Sequence, residues 1–185
     1  LPVMILADGR LGQMMEPLEL WTDEPSRPEK PWSLTGAKDG RAKRTIRSYY
    51  AGKVPENNER IQATLREIEA NEVQYETYLT DDADILLVGY GTSARLCRGA
   101  IDLVRAEGIR AGLLRPLTVW PFPFKAIAEL CGSAKTVLTV EMCAGQMVED
   151  VRLAVEGRVP VNFFGTLGGD VPSVGDVAEQ IRNLK

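Results

Sequence analysis

The chain has 185 residues, 44% of them hydrophobic, which is enough for one domain with a proper core or for two small ones. Its net charge of −4 argues against a nucleic-acid binder, which needs a basic surface to neutralise phosphates. No apolar run is long enough to span a bilayer, and the absence of histidine removes Ser-His-Asp and Cys-His catalysis and most zinc sites.

The opening Leu1-Pro2-Val3-Met4-Ile5-Leu6 is apolar but lacks the basic leader of a signal peptide. An opening directly in an apolar run predicts a fragment or a processed chain. Residues 2–7 are expected to form a short strand ending at the turn Asp8-Gly9-Arg10, with a helix starting at Leu11 and stopping by Pro17. Residues 17–55 then change character. Pro17, Pro25, Pro28, Pro31 and Pro55 punctuate a polar stretch without periodicity, read as a packed connector pinned to some surface by Trp21 and Trp32. Over residues 56–72, Ile61, Leu65 and Ile68 give one narrow apolar stripe on a charged segment, which predicts a solvated helix lying on a neighbouring domain.

Val73 to Leu79 alternates apolar with polar residues and reads as a half-exposed strand. From residue 83 onward a strand–helix unit repeats. Strands are expected at 84–89, 110–115, 136–141 and 160–165, and helices at 93–107, 122–131, 145–156 and 173–184. Apolar stripes support the helices: Cys97, Ala100, Ile101 and Val104; Phe124, Ile127, Ala128 and Cys131; Val174, Val177, Ala178 and Ile181. Gly108, Gly132 and Gly157 stand where helices should end in left-handed caps, and Ser173 with Asp176 fits an N-cap. The expected fold is therefore α/β: a three-layer αβα open sheet, mostly parallel, with the 73–79 strand antiparallel at one edge.

Cys97, Cys131 and Cys143 are widely spaced and odd in number, with no Cys-x-x-Cys. That speaks against a disulfide framework or an iron–sulfur site held by this chain alone, so no metal ligands are assigned and a cytoplasmic origin is expected.

In an open α/β sheet, ligands bind outside the carboxyl ends of the strands. Four stretches converge there: Gly89 to Ser93, Arg115 to Trp120, Glu141 to Gln146 and Gly165 to Asp170. The turn Gly89-Tyr90-Gly91-Thr92-Ser93-Ala94 fits a relaxed dinucleotide fingerprint, Gly-x-Gly-x-x-Ala. However, Arg115-Pro116 stands where a ribose-binding acid belongs. Gly89, Gly91, Thr92, Ser93 and Arg115 are therefore either an anion site or a tight turn opening a helix. Pro116 to Pro123 is a stiff apolar loop, read either as a docking surface with Trp120 and Phe122 exposed or as a rigid cover. Glu141 is either a catalytic carboxylate or, more commonly in such settings, the salt-bridge partner of Arg115. Trp120, Phe122, Glu141 and Gln146 are the interface candidates.

Together, Val88-Gly89-Tyr90-Gly91-Thr92-Ser93-Ala94-Arg95, Gly112 to Pro123, Val140-Glu141-Met142 and Gly145-Gln146-Met147 resemble the 2-oxoacid:ferredoxin oxidoreductases, in the alpha-type subunit of the 2-oxoisovalerate or 2-oxoglutarate kind. Leu6-Ala7-Asp8-Gly9 with Leu11-Gly12-Gln13-Met14 resembles the end of that subunit's thiamine-pyrimidine domain. The resemblance implies three parts: residues 1–16 as the tail of that domain, 17–72 as a linker with a connecting helix, and 73–185 as a transketolase C-terminal-like domain. It implies an enzyme that oxidatively decarboxylates a 2-oxoacid to an acyl-CoA and passes electrons to ferredoxin. That enzyme uses thiamine diphosphate, Mg²⁺, an iron–sulfur cluster and coenzyme A, all held by other domains and subunits. No catalytic residue carries over to this chain, whose expected task is assembly. Its partners would be the other subunits, with no nucleic acid and no membrane. The rival readings are a nucleotide- or anion-binding module built on Gly89–Ser93 and an interaction domain of unrelated origin.

Overall fold

The computed structural model describes residues 2–20, 22, 23, 26, 30, 33, 34, 36–43 and 53–185. The chain divides into one compact unit of Leu1–Met14 with Ile68–Lys185 and another of Met15–Glu67. In the second unit, the described residues before Lys53 carry only a 3₁₀ turn, Lys38–Gly40. Trp21 and Trp32, the expected anchors of this stretch, lie outside the described residues. Helix α1, Val54–Asn71, has no buried residue, as its single apolar stripe predicts.

In the first unit, the elements alternate as expected. They are β1 (Tyr75–Tyr78), β2 (Ile85–Val88), α2 (Gly91–Ala106), β3 (Ala111–Pro116), α3 (Phe124–Leu130), β4 (Thr136–Glu141), α4 (Met147–Val155), β5 (Val161–Gly165) and α5 (Val174–Asn183). The strand order is β1-β3-β2-β4-β5. Pairs β3–β2, β2–β4 and β4–β5 are parallel, and β1 runs antiparallel on β3 at the edge.

Alternation along the strands builds the three layers. Ile85 and Leu87 of β2, with Leu113 and Val140, pack on Cys97, Ile101 and Val104 of α2 and on Val177 and Ile181 of α5. Leu86 and Val88, with Leu114 and Val137, pack on Ile127 of α3 and on Met147 and Val151 of α4. Because β2 is covered on both faces, its sequence is a continuous apolar run.

Several local expectations are corrected. Residues 2–7 form no strand or helix, and Val3, Met4 and Ile5 are more than four-fifths exposed. An apolar run becomes a strand only when another strand takes up its backbone groups. The helix expected from Leu11 is a single 3₁₀ turn, Leu11–Gln13. Phe124 is exposed beside Phe122, so Ala126 joins Ile127 and Cys131 in the core instead. Gly108 and Gly157 do take positive φ, of 83° and 72°, whereas Gly132 does not. Ser173 and Asp176 form the full capping box of α5.

Candidate functional site

The strand order reverses across β2 and β4, so the fold's ligand crevice lies at their carboxyl ends, between the N-termini of α2 and α4. Both helix ends expose amide N–H groups that attract anions. In this chain, each end receives a carboxylate from the chain itself.

At α2 the carboxylate is Asp8. Its Oδ2 accepts the Thr92 amide at 3.2 Å and its Oδ1 accepts the Leu11 amide at 2.8 Å. Burial works against ionisation of Asp8, but the hydrogen bonds from Leu11 and Thr92 outweigh it and hold the carboxyl below its ordinary value. Gly91 is needed at this contact. It has φ +54°, and a Cβ there would stand 3.1 Å from Asp8 Oδ2. Ser93 is buried, and Gly89 packs between Cys97 and the Val140 carbonyl. The glycine stretch is thus a tight turn that opens a helix onto Asp8.

At α4 the carboxylate is Glu141, only 1% exposed. Its Oε1 accepts the Val148 amide at 2.9 Å, and its Oε2 accepts the amides of Met147 at 2.9 Å and Gln146 at 3.2 Å and the Cys143 thiol at 3.1 Å. Tyr90 is the N-cap residue of α2. Burial, reinforced by Cys143, Glu141 and Asp8, raises the pKa of its hydroxyl. Burial also raises Cys97, which makes it an inert core thiol.

The expected Arg115–Glu141 pair does not form. Arg115 has the parity of Leu113, which faces α2, and Glu141 has the parity of Val137, which faces α4. The two side chains leave the sheet on opposite faces, with β2 between their strands. Arg115 pairs instead with Glu76 of β1, Nη1 to Oε2 at 3.1 Å, directly across the antiparallel register.

The interface candidates separate in the same way. Phe122 and Glu141 are buried within this chain, which takes them off its exposed surface, whereas Trp120 is 54% exposed and Gln146 is exposed. Thr118 stiffens the Trp120 loop. Its hydroxyl donates to the Pro121 carbonyl at 2.8 Å and accepts the Gln74 amide at 3.0 Å.

A family model described as pyruvate:ferredoxin oxidoreductase core domain II matches residues 83–177, from the start of β2 into α5. The chain belongs to this family. Ketoisovalerate oxidoreductase subunit VorB of Methanothermobacter thermautotrophicus is 41% identical over 186 residues, covering 99% of this chain and 52% of that relative. The 2-oxoglutarate synthase subunit KorA of Methanothermobacter marburgensis is 36% identical over 106 residues, covering 57% of this chain and 28% of that relative. The chain spans about half the length of the ketoisovalerate relative it matches end to end.

Among solved structures, the 2-oxoglutarate:ferredoxin oxidoreductase from Magnetococcus marinus with 2-oxoglutarate, coenzyme A and succinyl-CoA bound superposes with a TM-score of 0.61. It is 17% identical, with 70% of this chain and 23% of that chain covered. A split gene transketolase, described as an inactive beta4 tetramer, gives 0.51 at 18% identity, covering 60% of this chain and 40% of that one. Both likenesses show the fold, which is the transketolase-like one the sequence led us to expect.

At these helix ends the Thr92, Met147 and Val148 amides are already held by carboxylates of the chain itself. Among the described residues, no group of three or more His, Cys, Asp or Glu is arranged to hold a metal ion, and no helix is long and apolar enough to cross a membrane.

Sequence reasoning read Asp8 as a turn residue and missed its seat on α2. Removing that seat is expected to be mild. Asp8→Ala should cost about 1 kcal/mol at neutral pH, the usual size of a cap. Since the folded pKa is lowered, the contribution is present above the ordinary carboxylate pKa and is lost as pH falls through the lowered value. Urea denaturation of both proteins at neutral pH and near pH 3 checks this, with the gap between them shrinking in acid.

Proposed function

We propose that this chain is the C-terminal portion of the alpha-type subunit of a 2-oxoacid:ferredoxin oxidoreductase, of the 2-oxoisovalerate or 2-oxoglutarate kind, and that it assembles and shapes the enzyme without carrying the chemistry. The whole enzyme would oxidatively decarboxylate a 2-oxoacid to an acyl-CoA in the cytoplasm and deliver electrons to ferredoxin. Thiamine diphosphate, Mg²⁺, the iron–sulfur cluster and coenzyme A would sit on the preceding part of the subunit and on its partners. In this reading, residues 1–16 finish the thiamine-pyrimidine domain, 17–72 link, and 73–185 are the transketolase C-terminal-like domain.

The observation that carries the division of labour is the pair of internal carboxylates, Asp8 and Glu141, on the two helix ends where a ligand of such a sheet would bind. A domain that fills its own crevice is left with its surfaces for work. Trp120, held out on a stiffened loop, is the contact assigned to another subunit.

The test is an assay of this chain alone with 2-oxoisovalerate, coenzyme A and a dye acceptor, beside the full-length subunits purified together. The complex is expected to turn over and the chain alone to give nothing; turnover by the chain alone overturns the reading. Trp120→Asp is expected to move the complex toward dissociated species on size exclusion while leaving the melting temperature of the isolated chain unchanged. An unaltered elution profile removes the loop from the interface.

A further inference from the structure

We infer that the cleft between α2 and the edge strand β1 binds the phosphoryl end of a phosphorylated small molecule through Arg95, Arg98 and Arg115. The cleft encloses about 500 Å³, within the range of small-ligand sites and larger than a lone phosphate requires. Its location follows from the sheet. Because β1 lies at the edge, one face of β1 and β3 is left open beside α2.

Three elements supply the walls by simple spacing. Glu76 and Tyr78 are two apart on β1 and share a face, opposite Arg115 and Leu113 on β3. Arg95 and Arg98 are three apart on α2 and so lie on one face of the helix. All six residues line the cleft, which therefore collects three guanidinium groups in a chain of net charge −4.

The guanidinium of Arg115 is not fully engaged within the cleft. Among the described residues, Glu76 is the one carboxylate lining it, and it engages Nη1 of Arg115. Nε of the same arginine is buried without a hydrogen-bond acceptor. A buried donor on a charged group is rarely left so, and a ligand oxygen would satisfy it. Arg98 is held 4.4 Å over the Tyr78 ring, whose hydroxyl donates to Asp102 at 2.6 Å. The guanidinium is thus fixed before any ligand arrives, which lowers the ordering cost of binding. Nη1 of Arg95 lies 3.5 Å from the Met14 sulfur at the rim.

The ligand's charge follows from this set. One planar fork suffices for a carboxylate, whereas forks from two sides suit a tetrahedral oxyanion with several oxygens. At the α2 terminus Asp8 already takes the Thr92 amide, so the proposal rests on the arginines and not on that helix end. The cleft adjoins the sealed crevice at Gly91 and Thr92, but its arginines take no part in that seal, and the proposal does not depend on the oxidoreductase reading.

The test is isothermal titration of the full-length protein with inorganic phosphate, pyrophosphate and adenosine diphosphate at constant ionic strength. Thiamine diphosphate and coenzyme A are left out, because their own phosphoryl groups would compete for the cleft, and the part of the binding lost in Arg98→Gln reports the cleft. Saturable one-to-one binding is expected, with pyrophosphate tighter than phosphate. Equal affinity for pyrophosphate and adenosine diphosphate assigns recognition to the phosphoryl group alone, and tighter binding of adenosine diphosphate extends it to a nucleotide. Arg98→Gln and Arg115→Gln should each weaken binding about tenfold. Arg98→Gln leaves the Arg115–Glu76 pair intact, so it remains informative if Arg115→Gln fails to fold. Arg152→Gln, on α4 outside the cleft, should leave affinity unchanged. Absence of saturable binding, or binding indifferent to the Arg98 and Arg115 changes, overturns the proposal. So does equal weakening by Arg152→Gln.

Discussion

Glu141→Ala should be among the most damaging single changes in the chain, lowering unfolding free energy by about 4 kcal/mol. The size comes from what is left behind. Met147 and Val148 donate buried amides to Glu141 at 2.9 Å each, with the Gln146 amide and the Cys143 thiol adding weaker contacts. An alanine offers no acceptor and leaves a cavity cut off from bulk solvent, so the first turn of α4 loses the charged acceptor that held its buried donors. For a domain of this size, such a loss corresponds to a fall of roughly 10 °C in melting temperature. Glu141→Gln should be intermediate, at about 2 kcal/mol, because the amide keeps one acceptor oxygen but turns an NH₂ toward donors. Urea denaturation gives the order, and hydrogen exchange at Met147 and Val148 gives the cause: those amides should exchange faster in Glu141→Ala while α5 amides track only global stability. Unfolding midpoints equal to the parent would mean that α4 finds other acceptors and that the carboxylate is not a structural seal.

Sequence and structure agree most closely where the determinants are local. The apolar run Ile85 to Val88, the stripe Cys97, Ala100, Ile101 and Val104, and the Ser173–Asp176 box each announce an element within a few residues, and each element forms as expected. The antiparallel placement of β1 was legible because no crossover helix follows it, but the expected half-exposed alternation is absent, since Tyr75, Glu76 and Thr77 are all exposed on this edge strand.

The site was harder to read because its contacts are long-range or depend on parity. Asp8 reaches Thr92 across 84 positions, and nothing near either residue signals the other. Arg115 and Glu141 both lie near the carboxyl ends of their strands, which suggests a pair, but the register sets Arg115 level with Val140, one residue short of Glu141, and the faces are set by which helices cover Leu113 and Val137. The Glu141 seal itself had a local signal, a glutamate ending a strand shortly before a helix start at Met147, and it belongs with capping rather than with catalysis. For residues 2–7, the reading failed because apolar composition supplies strand propensity without a partner strand, and none pairs with them among the described residues.

Gly112→Ala is expected to destabilise the chain by about 3 kcal/mol, a large effect for one methyl group. Gly112 lies in β3 where the chain leaving β1 crosses close overhead, and a Cβ there would meet the Leu79 carbonyl oxygen at 2.4 Å and the Thr80 Cα at 2.9 Å. Both are backbone atoms, so no side chain can swing aside. Nor is the backbone free to lift. Leu79 sits at φ +52°, and its carbonyl is held by Arg105 Nη2 at 2.7 Å while Arg105 Nε holds the Ala111 carbonyl at 2.7 Å. The same guanidinium also reaches Asp82 Oδ1 at 2.6 Å, tying the turn after β1 to α2. The added methyl must therefore break this stitching or part β1 from β3, and either route also disturbs the wall of the arginine cleft, which carries Tyr78 opposite Leu113. Gly157→Ala is the control. Gly157 has φ +72° with open space around it, so alanine there pays only left-handed strain, about 1 kcal/mol. Equal melting temperatures for the two variants would show that the Leu79–Thr80 backbone gives way, whereas a clearly lower value for Gly112→Ala identifies close backbone approach as the reason glycine stands in the middle of β3.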